Sequence, residues 1–265
     1  VVILMTKFRN LRHNGSIPLG FTLVELAVVL TVIAVLSGSI LLSVARQAEV
    51  DKIRTTQQQL HEIKQALLGY AVIYHRLPCA ADPSLVTGAV GAGTETLNTQ
   101  GNSDISDDTC NLYAGILPWV DLGVAETDAW GRRFTYRVTQ KFAQYGGSCV
   151  HTAPDVYFAL CDEGTLLVKD LAGGSNIASK LVAVVVSHGK NGHGANLPSG
   201  INIAFPPDPG AEPGKYDQEK ENTATGGVGT EFVKTGFHAE HFDDVLAWLG
   251  TPVLMNRMVS AQKLP

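Results

Sequence analysis

The feature that most constrains this chain is the run of 24 residues from Phe21 to Val44, which holds one charge, Glu25. About 20 apolar residues are enough to cross a bilayer as a helix, and a helix through this run has no polar side to turn to water. A carboxylate inside it costs a few kcal/mol in hydrocarbon and calls for a partner. Ahead of the run lies a leader with Lys7, Arg9, Arg12 and His13 and no acid. The positive-inside bias keeps such a leader cytoplasmic and sends the rest of the chain outward. An ordinary secretory signal has small residues after its apolar part, at the cleavage site. Here the small residue, Gly20, stands before it.

A simple signal anchor with an incidental Glu accounts for the run alone. The joint pattern of basic leader, Gly20-Phe21-Thr22-Leu23-Val24-Glu25-Leu26 and apolar helix resembles the class III signal of type IV pilins and type II secretion pseudopilins. The resemblance implies that a prepilin peptidase cuts after Gly20 and methylates the new amine of Phe21. It also implies that Glu25 pairs with the N-terminal amine of a neighbouring subunit in a filament, which offsets the burial cost of both charges.

Beyond Val44 the helical pattern continues. Ile53, Thr56, Leu60, Ile63, Leu67, Tyr70 and Tyr74 succeed one another in steps of three and four, one face of a helix, with Lys52, Arg54, Gln58, Glu62 and Lys64 opposite. Pro78 predicts an end near Leu77, because proline disfavours helix at the residue before it. The expected helix has about 55 residues, roughly 80 Å at 1.5 Å per residue. The chain then divides into a leader (1–20), a transmembrane or filament-core helix (21–44), its amphipathic continuation (45–77) and a periplasmic globular domain (78–265).

Within that domain, Asp128-Ala129-Trp130-Gly131 resembles the Asp-Pro-Trp-Gly segment of pseudopilins, with Ala129 in place of Pro. A strand is expected after it, with Phe134, Tyr136 and Val138 on one face. Further strands are expected at Val156–Leu160, Leu166–Val168 and Glu231–Val233. The β-branched run Leu181–Ser187 reads as a central strand covered on both faces. Phe242–Leu249 reads as a helix with acid at its start, and Val253–Val259 as a last helix. The fold class expected is α+β and pilin-like: a long N-terminal helix, transmembrane in its first half, packed on an antiparallel β-sheet with loop-rich insertions.

The four cysteines, Cys79, Cys110, Cys149 and Cys161, are placed outside the cytoplasm by the topology, where disulfides persist. Three pairings are open; Cys79–Cys110 and Cys149–Cys161 each enclose a local loop and are favoured. No Cys pair has the short spacing of a zinc knuckle. Removing the leader's three basic residues (Lys7, Arg9, Arg12) from the 20 leaves 17 against 25 acids, a net charge of −8. That argues against a nucleic-acid partner.

No catalytic set is legible. Ser187-His188 are neighbours on a strand and point to opposite faces, no nucleophile elbow is present, and the glycines of the 188–194 loop lack the Lys of a phosphate loop. His188, His193, His238 and His241 with Asp243 and Asp244 form a metal set only if two distant segments meet. The family resemblance also implies a calcium ion after a late strand, for which Asp217, Glu219 and Glu221 stand as candidates; a solvated acidic loop is the alternative. The expected function is a structural, non-enzymatic subunit of a type II secretion pseudopilus or type IV pilus, in the bacterial inner membrane with its C-terminal domain in the periplasm. Its expected partners are the prepilin peptidase, other pilin-like subunits, the inner-membrane assembly platform and membrane lipid. No cofactor beyond that calcium is expected. The alternatives are an adhesin or DNA-uptake subunit and a membrane-anchored metalloenzyme.

Overall fold

The computed structural model describes residues 20, 22–98, 108–144, 157–207, 214–223, 230–236, 238 and 242–264, and the side chains of 36–46 are outside that description. The chain divides into two compact units, Val1–Glu49 and Val50–Pro265. In the first unit the described part is the opening of helix α1 (Leu23–Tyr74). Every large apolar side chain from Leu23 to Val35 is at least half exposed.

The second unit is built on a six-stranded sheet. Its spine is β6 (Asn176–Ser187). On one side of β6 lies β8 (Val245–Gly250), antiparallel, with Ala247 opposite Val185. On the other side lie β4 (Thr135–Val138), with Tyr136 opposite Val185, and further along β5 (Leu166–Lys169), with Leu166 opposite Leu181. The two strands laid end to end on one edge curl the sheet into a half-barrel. β3 (Ala114–Ile116) extends it beyond β4, and β7 (Glu231–Val233) beyond β5. A small two-stranded ladder joins β1 (Leu97–Asn98) to β2 (Thr109–Cys110). Short helices α2 (Trp119–Leu122) and α3 (Asp217–Lys220) and the terminal α4 (Thr251–Ser260) complete it.

The sheet is covered on both faces, which is why β6 reads as an unbroken β-branched run. Leu60, Ile63, Leu67 and Ala71 of α1 share one buried cluster with Tyr136, Val182, Val185 and Leu249. Val184 and Val186 point the other way and pack with Leu166, Val168, Phe232 and Leu246. Cys79 is bonded to Cys110, stapling the loop after the helix to β2. Cys161 is also disulfide-bonded; Cys149 lies outside the described residues.

The expected fold class needs correction. Among the described residues no helix is long and apolar enough to cross a membrane, so the transmembrane first half is not seen. The sheet is not purely antiparallel either: β5 and β7 run parallel, Leu167 opposite Glu231, because a long connection carries the chain back before β7. The architecture is mixed α/β.

Three local expectations also change. α1 stops at Tyr74, not Leu77, because His75 takes a left-handed conformation (φ 57°) and closes the helix before Pro78 acts. Residues 157–160 are not in a strand; a turn forms instead, in which the Asp162 carboxylate accepts the Ala159 N–H at 2.8 Å. Val245–Gly250 is a strand where a helix was expected, since the edge of β6 offers it a ladder of partners.

Candidate functional site

Two places gather the residues singled out in the sequence. The first is the start of α1. Gly20 is exposed, and Phe21 lies outside the described residues. Thr22 stands at the N-cap position. Its hydroxyl accepts the Glu25 N–H at 3.2 Å, and a Glu25 carboxylate oxygen accepts the Thr22 N–H at 3.2 Å and its hydroxyl at 3.1 Å. This is a capping box, which satisfies donors that a helix start otherwise leaves unpaired. Its signal, Thr-x-x-Glu, was present in the sequence. Glu25 therefore has a partner inside its own chain.

The second place lies at the C-terminal end of β6, where three segments meet. The strand delivers Ser187 and His188 into the interior, both fully buried. Ser187 donates to Asp128 at 2.6 Å, and the other Asp128 oxygen accepts the Trp130 and Arg132 N–H groups. The Asp128–Arg132 turn is thus tied to the sheet. Gly189 has a positive φ, and a Cβ on it would stand 2.3 Å from the Asp243 carbonyl, so only glycine lets the 188–194 loop lie this close to the segment before β8. Arg132 donates to the Gly189 and Lys190 carbonyls and fixes the loop from outside.

Three carboxylates converge there. Glu219, Asp243 and Asp244 are all buried, and one oxygen from each lies within 4.8 Å of the others. One Asp243 oxygen accepts the Lys190 and Asn191 N–H groups, both at 2.8 Å. One Asp244 oxygen accepts the Asn222 side-chain amide at 2.8 Å. Glu219 accepts the Asn191 amide at 2.6 Å and faces His193 Nδ1 at 3.1 Å. His188 Nε2 lies 2.8 Å from the Thr135 hydroxyl, and its Nδ1 faces an Asp244 oxygen at 3.5 Å. His188 Nδ1 and the second oxygens of Asp243 and Asp244 are buried without a hydrogen-bond partner.

The electrostatics reflect this crowding. Burial, then the charge of Asp244, pushes the Glu219 carboxyl up to about 8. Burial, with Asp244 adding to it, pushes Asp243 up to about 6 against the pull of its backbone donors. Burial lowers His193.

Of the calcium candidates, Glu219 enters the cluster. Asp217 is exposed and pairs with Lys220, and Glu221 stands outside the cluster. Of the histidine set, His188 reaches Asp244 and His193 reaches Glu219. His238 is exposed, bridged through its backbone to Phe242, and His241 lies outside the described residues. Asp243 and Asp244, read as a helix start, are instead the inward-facing pair before β8. Thr135, His188 and Asp244 lie in a row of hydroxyl, imidazole and carboxylate, with a 3.5 Å gap and no hydrogen bond between His188 and Asp244, and they are 1 %, 0 % and 8 % exposed. Comparison with known protein families, curated proteins and solved structures finds no match.

Proposed function

We propose that this chain is a non-catalytic subunit of an extracytoplasmic filament of the pilus or secretion-pseudopilus kind. It is made as a precursor, cut after Gly20 by a prepilin peptidase, held at the inner membrane, and assembled with other pilin-like subunits through the start of α1. The observation that carries this reading is the exposed apolar surface of α1 from Leu23 to Val35, which begins directly after the Gly20-Phe21 junction. Exposed apolar surface of that extent is covered by a partner or a lipid phase in use. The burial of the Thr135–His188–Asp244 row supports a structural role over a hydrolytic one. The disulfide at Cys79–Cys110 fits an oxidising compartment, and the net acidity fits a role without nucleic acid.

The test is N-terminal sequencing of the protein co-expressed with a prepilin peptidase. The mature chain begins at Phe21 with a methylated amine, and Gly20→Val blocks the cut. A mature terminus elsewhere, or an uncut chain in the presence of active peptidase, removes the reading.

A further inference from the structure

A strand at the edge of a sheet presents a row of unpaired backbone groups, and folded chains cover or guard such rows. The chain closes two edges of its six-stranded sheet itself. Beyond β3, Ala81 and Ile116 exchange backbone hydrogen bonds at 2.9 and 3.2 Å. Beyond β7, the Asn222 side chain accepts the Val233 N–H at 2.8 Å and donates to the Val233 carbonyl at 2.9 Å. β8 pairs with β6 alone, and its far edge has no such cover among the described residues.

The register shows which groups are left over. Val182 turns its carbonyl to the β4 side, where it accepts the Thr139 N–H at 2.8 Å. Backbone groups alternate sides along a strand, so Ala183, Val185 and Ser187 turn theirs to β8 and pair with Leu249, Ala247 and Val245. The N–H and C=O groups of Leu246 and Trp248 therefore face away from the sheet, and no described residue hydrogen-bonds them. β8 holds no lysine, acid or proline, the residues that natural edges carry against pairing.

The ground beside this edge is shaped and charged. On one face Leu60, Lys64 and Leu67 of α1 line a shallow, largely apolar cleft with Ala247 and Leu249. On the other face the Lys234 ammonium lies 5.0 Å from the centre of the Trp248 ring. Neither lysine pairs with a carboxylate among the described residues. A strand laid on β8 gains its main-chain bonds and sends its side chains alternately to these two faces, one set to the cleft and Lys64, the other toward Lys234. We propose that the free edge of β8 takes up an extended segment of another protein, with carboxylates on both faces among apolar residues. A second copy of this chain suits the edge less well: a twofold pair of β8 strands keeps like faces together and brings lysine toward lysine. The inference stands on the second unit alone and does not depend on processing at Gly20.

The full-length protein in non-ionic detergent is titrated with a fluorescent, end-blocked peptide the length of β8, made of valine and threonine with one glutamate for each face. Two controls carry lysine in place of glutamate, or a methyl group on every backbone amide. The glutamate peptide binds saturably, one per chain, and the controls bind at least about tenfold more weakly. Lys64→Glu/Lys234→Glu inverts the preference and takes the lysine peptide over the glutamate peptide, a gain that damage to the fold does not produce. No saturable binding, or equal binding of the methylated peptide, overturns the edge as the site. An unchanged preference in the double variant overturns the charge match. A dimer in sedimentation that excludes the peptide assigns the edge to a second copy and overturns the proposal as well.

Discussion

Glu25 has one role that is seen, as a cap, and one that is proposed, as an assembly contact, and the capping box shows how to separate them. Its carboxylate accepts two hydrogen bonds from Thr22, while its own N–H donates to the Thr22 hydroxyl, all at 3.1–3.2 Å. Loss of a cap of this kind costs about 1 kcal/mol, roughly fivefold in the population of the ordered first turn. In the assembled filament the same carboxylate is proposed to meet a neighbour's amine out of water. Removing one partner of a buried pair costs about 3–5 kcal/mol, roughly a hundredfold to several thousandfold in assembly at about 1.4 kcal/mol per tenfold. Glu25→Ala removes both contributions. Glu25→Gln keeps the box, since Gln serves at this position as well as Glu, but removes the charge. Thr22→Ala removes the hydroxyl and keeps the charge.

The assay is the amount of filament recovered by shearing, quantified against total subunit, beside hydrogen exchange at the amides of residues 22–26. Glu25→Gln is expected to exchange like the parent and to assemble at a hundredth of its level or less. Thr22→Ala is expected to exchange faster and to lose about fivefold or less in assembly. If Glu25→Gln assembles normally while Glu25→Ala fails, the residue acts as a cap, and the charge-pairing account is refuted.

The second unit yields three further expected outcomes. Arg133 is fully buried; it donates to Glu126, to the Leu85 carbonyl at 2.7 Å and to the Thr87 hydroxyl at 3.1 Å, and lies over the Trp119 ring. Arg133→Met should therefore destabilise by about 3–5 kcal/mol in urea unfolding, and a loss under about 1 kcal/mol would sink this reading of the clamp. The Cys79–Cys110 bond spans 31 residues, so the Cys79→Ser/Cys110→Ser double variant should lose about 3–4 kcal/mol by the loop-entropy relation in the same experiment. Glu219 and Asp243 have folded-state values of about 8 and about 6, above the ordinary 4.5 and 3.8. Their contribution to stability is thus full below about pH 4 and lost as pH rises through about 6 and about 8. The protein should melt higher at pH 5 than at pH 8.5, and Glu219→Gln should flatten that slope; an unchanged slope in the variant would place its origin elsewhere.

Periodicity made part of the second unit legible. The stripe through Leu60, Ile63 and Leu67 marks the buried face of α1, and the β-branched run of β6 marks a strand covered on both sides. The strand through Phe134, Tyr136 and Val138 was legible from alternation in the same way. What periodicity could not supply were the choices made by tertiary partners. Leu246 and Leu249 stand three apart behind two acids, which reads as a helix start, yet the free edge of β6 captures the segment as β8, and pairing overrides local preference. The parallel placement of β7 beside β5 depends on how a long loop returns, for which a sequence carries no period. The turn at His75 needs a left-handed residue, and histidine gives no advance notice of one.

The same reasoning separates the buried acids of this chain into two kinds. Glu95 is partly buried, and Arg76 grips both its oxygens at 2.6 Å, Tyr70 donates to one and the Cys79 N–H to the other. Burial alone would raise it, but these donors more than offset that, and it is held below the usual carboxylate range. Asp128 likewise has both oxygens occupied, by Ser187 and by the turn it closes. These are acids the fold uses to tie loops to the sheet, and each is complete within the chain. Glu219 and Asp243 shift the opposite way, and one Asp243 oxygen and one Asp244 oxygen accept no hydrogen bond. A sequence that satisfies its buried carboxylates so fully at one end of the sheet has the means to do so at the other. Departures from local consistency tend to fall where function makes its own demands, and the end of β6 is where this chain departs from it.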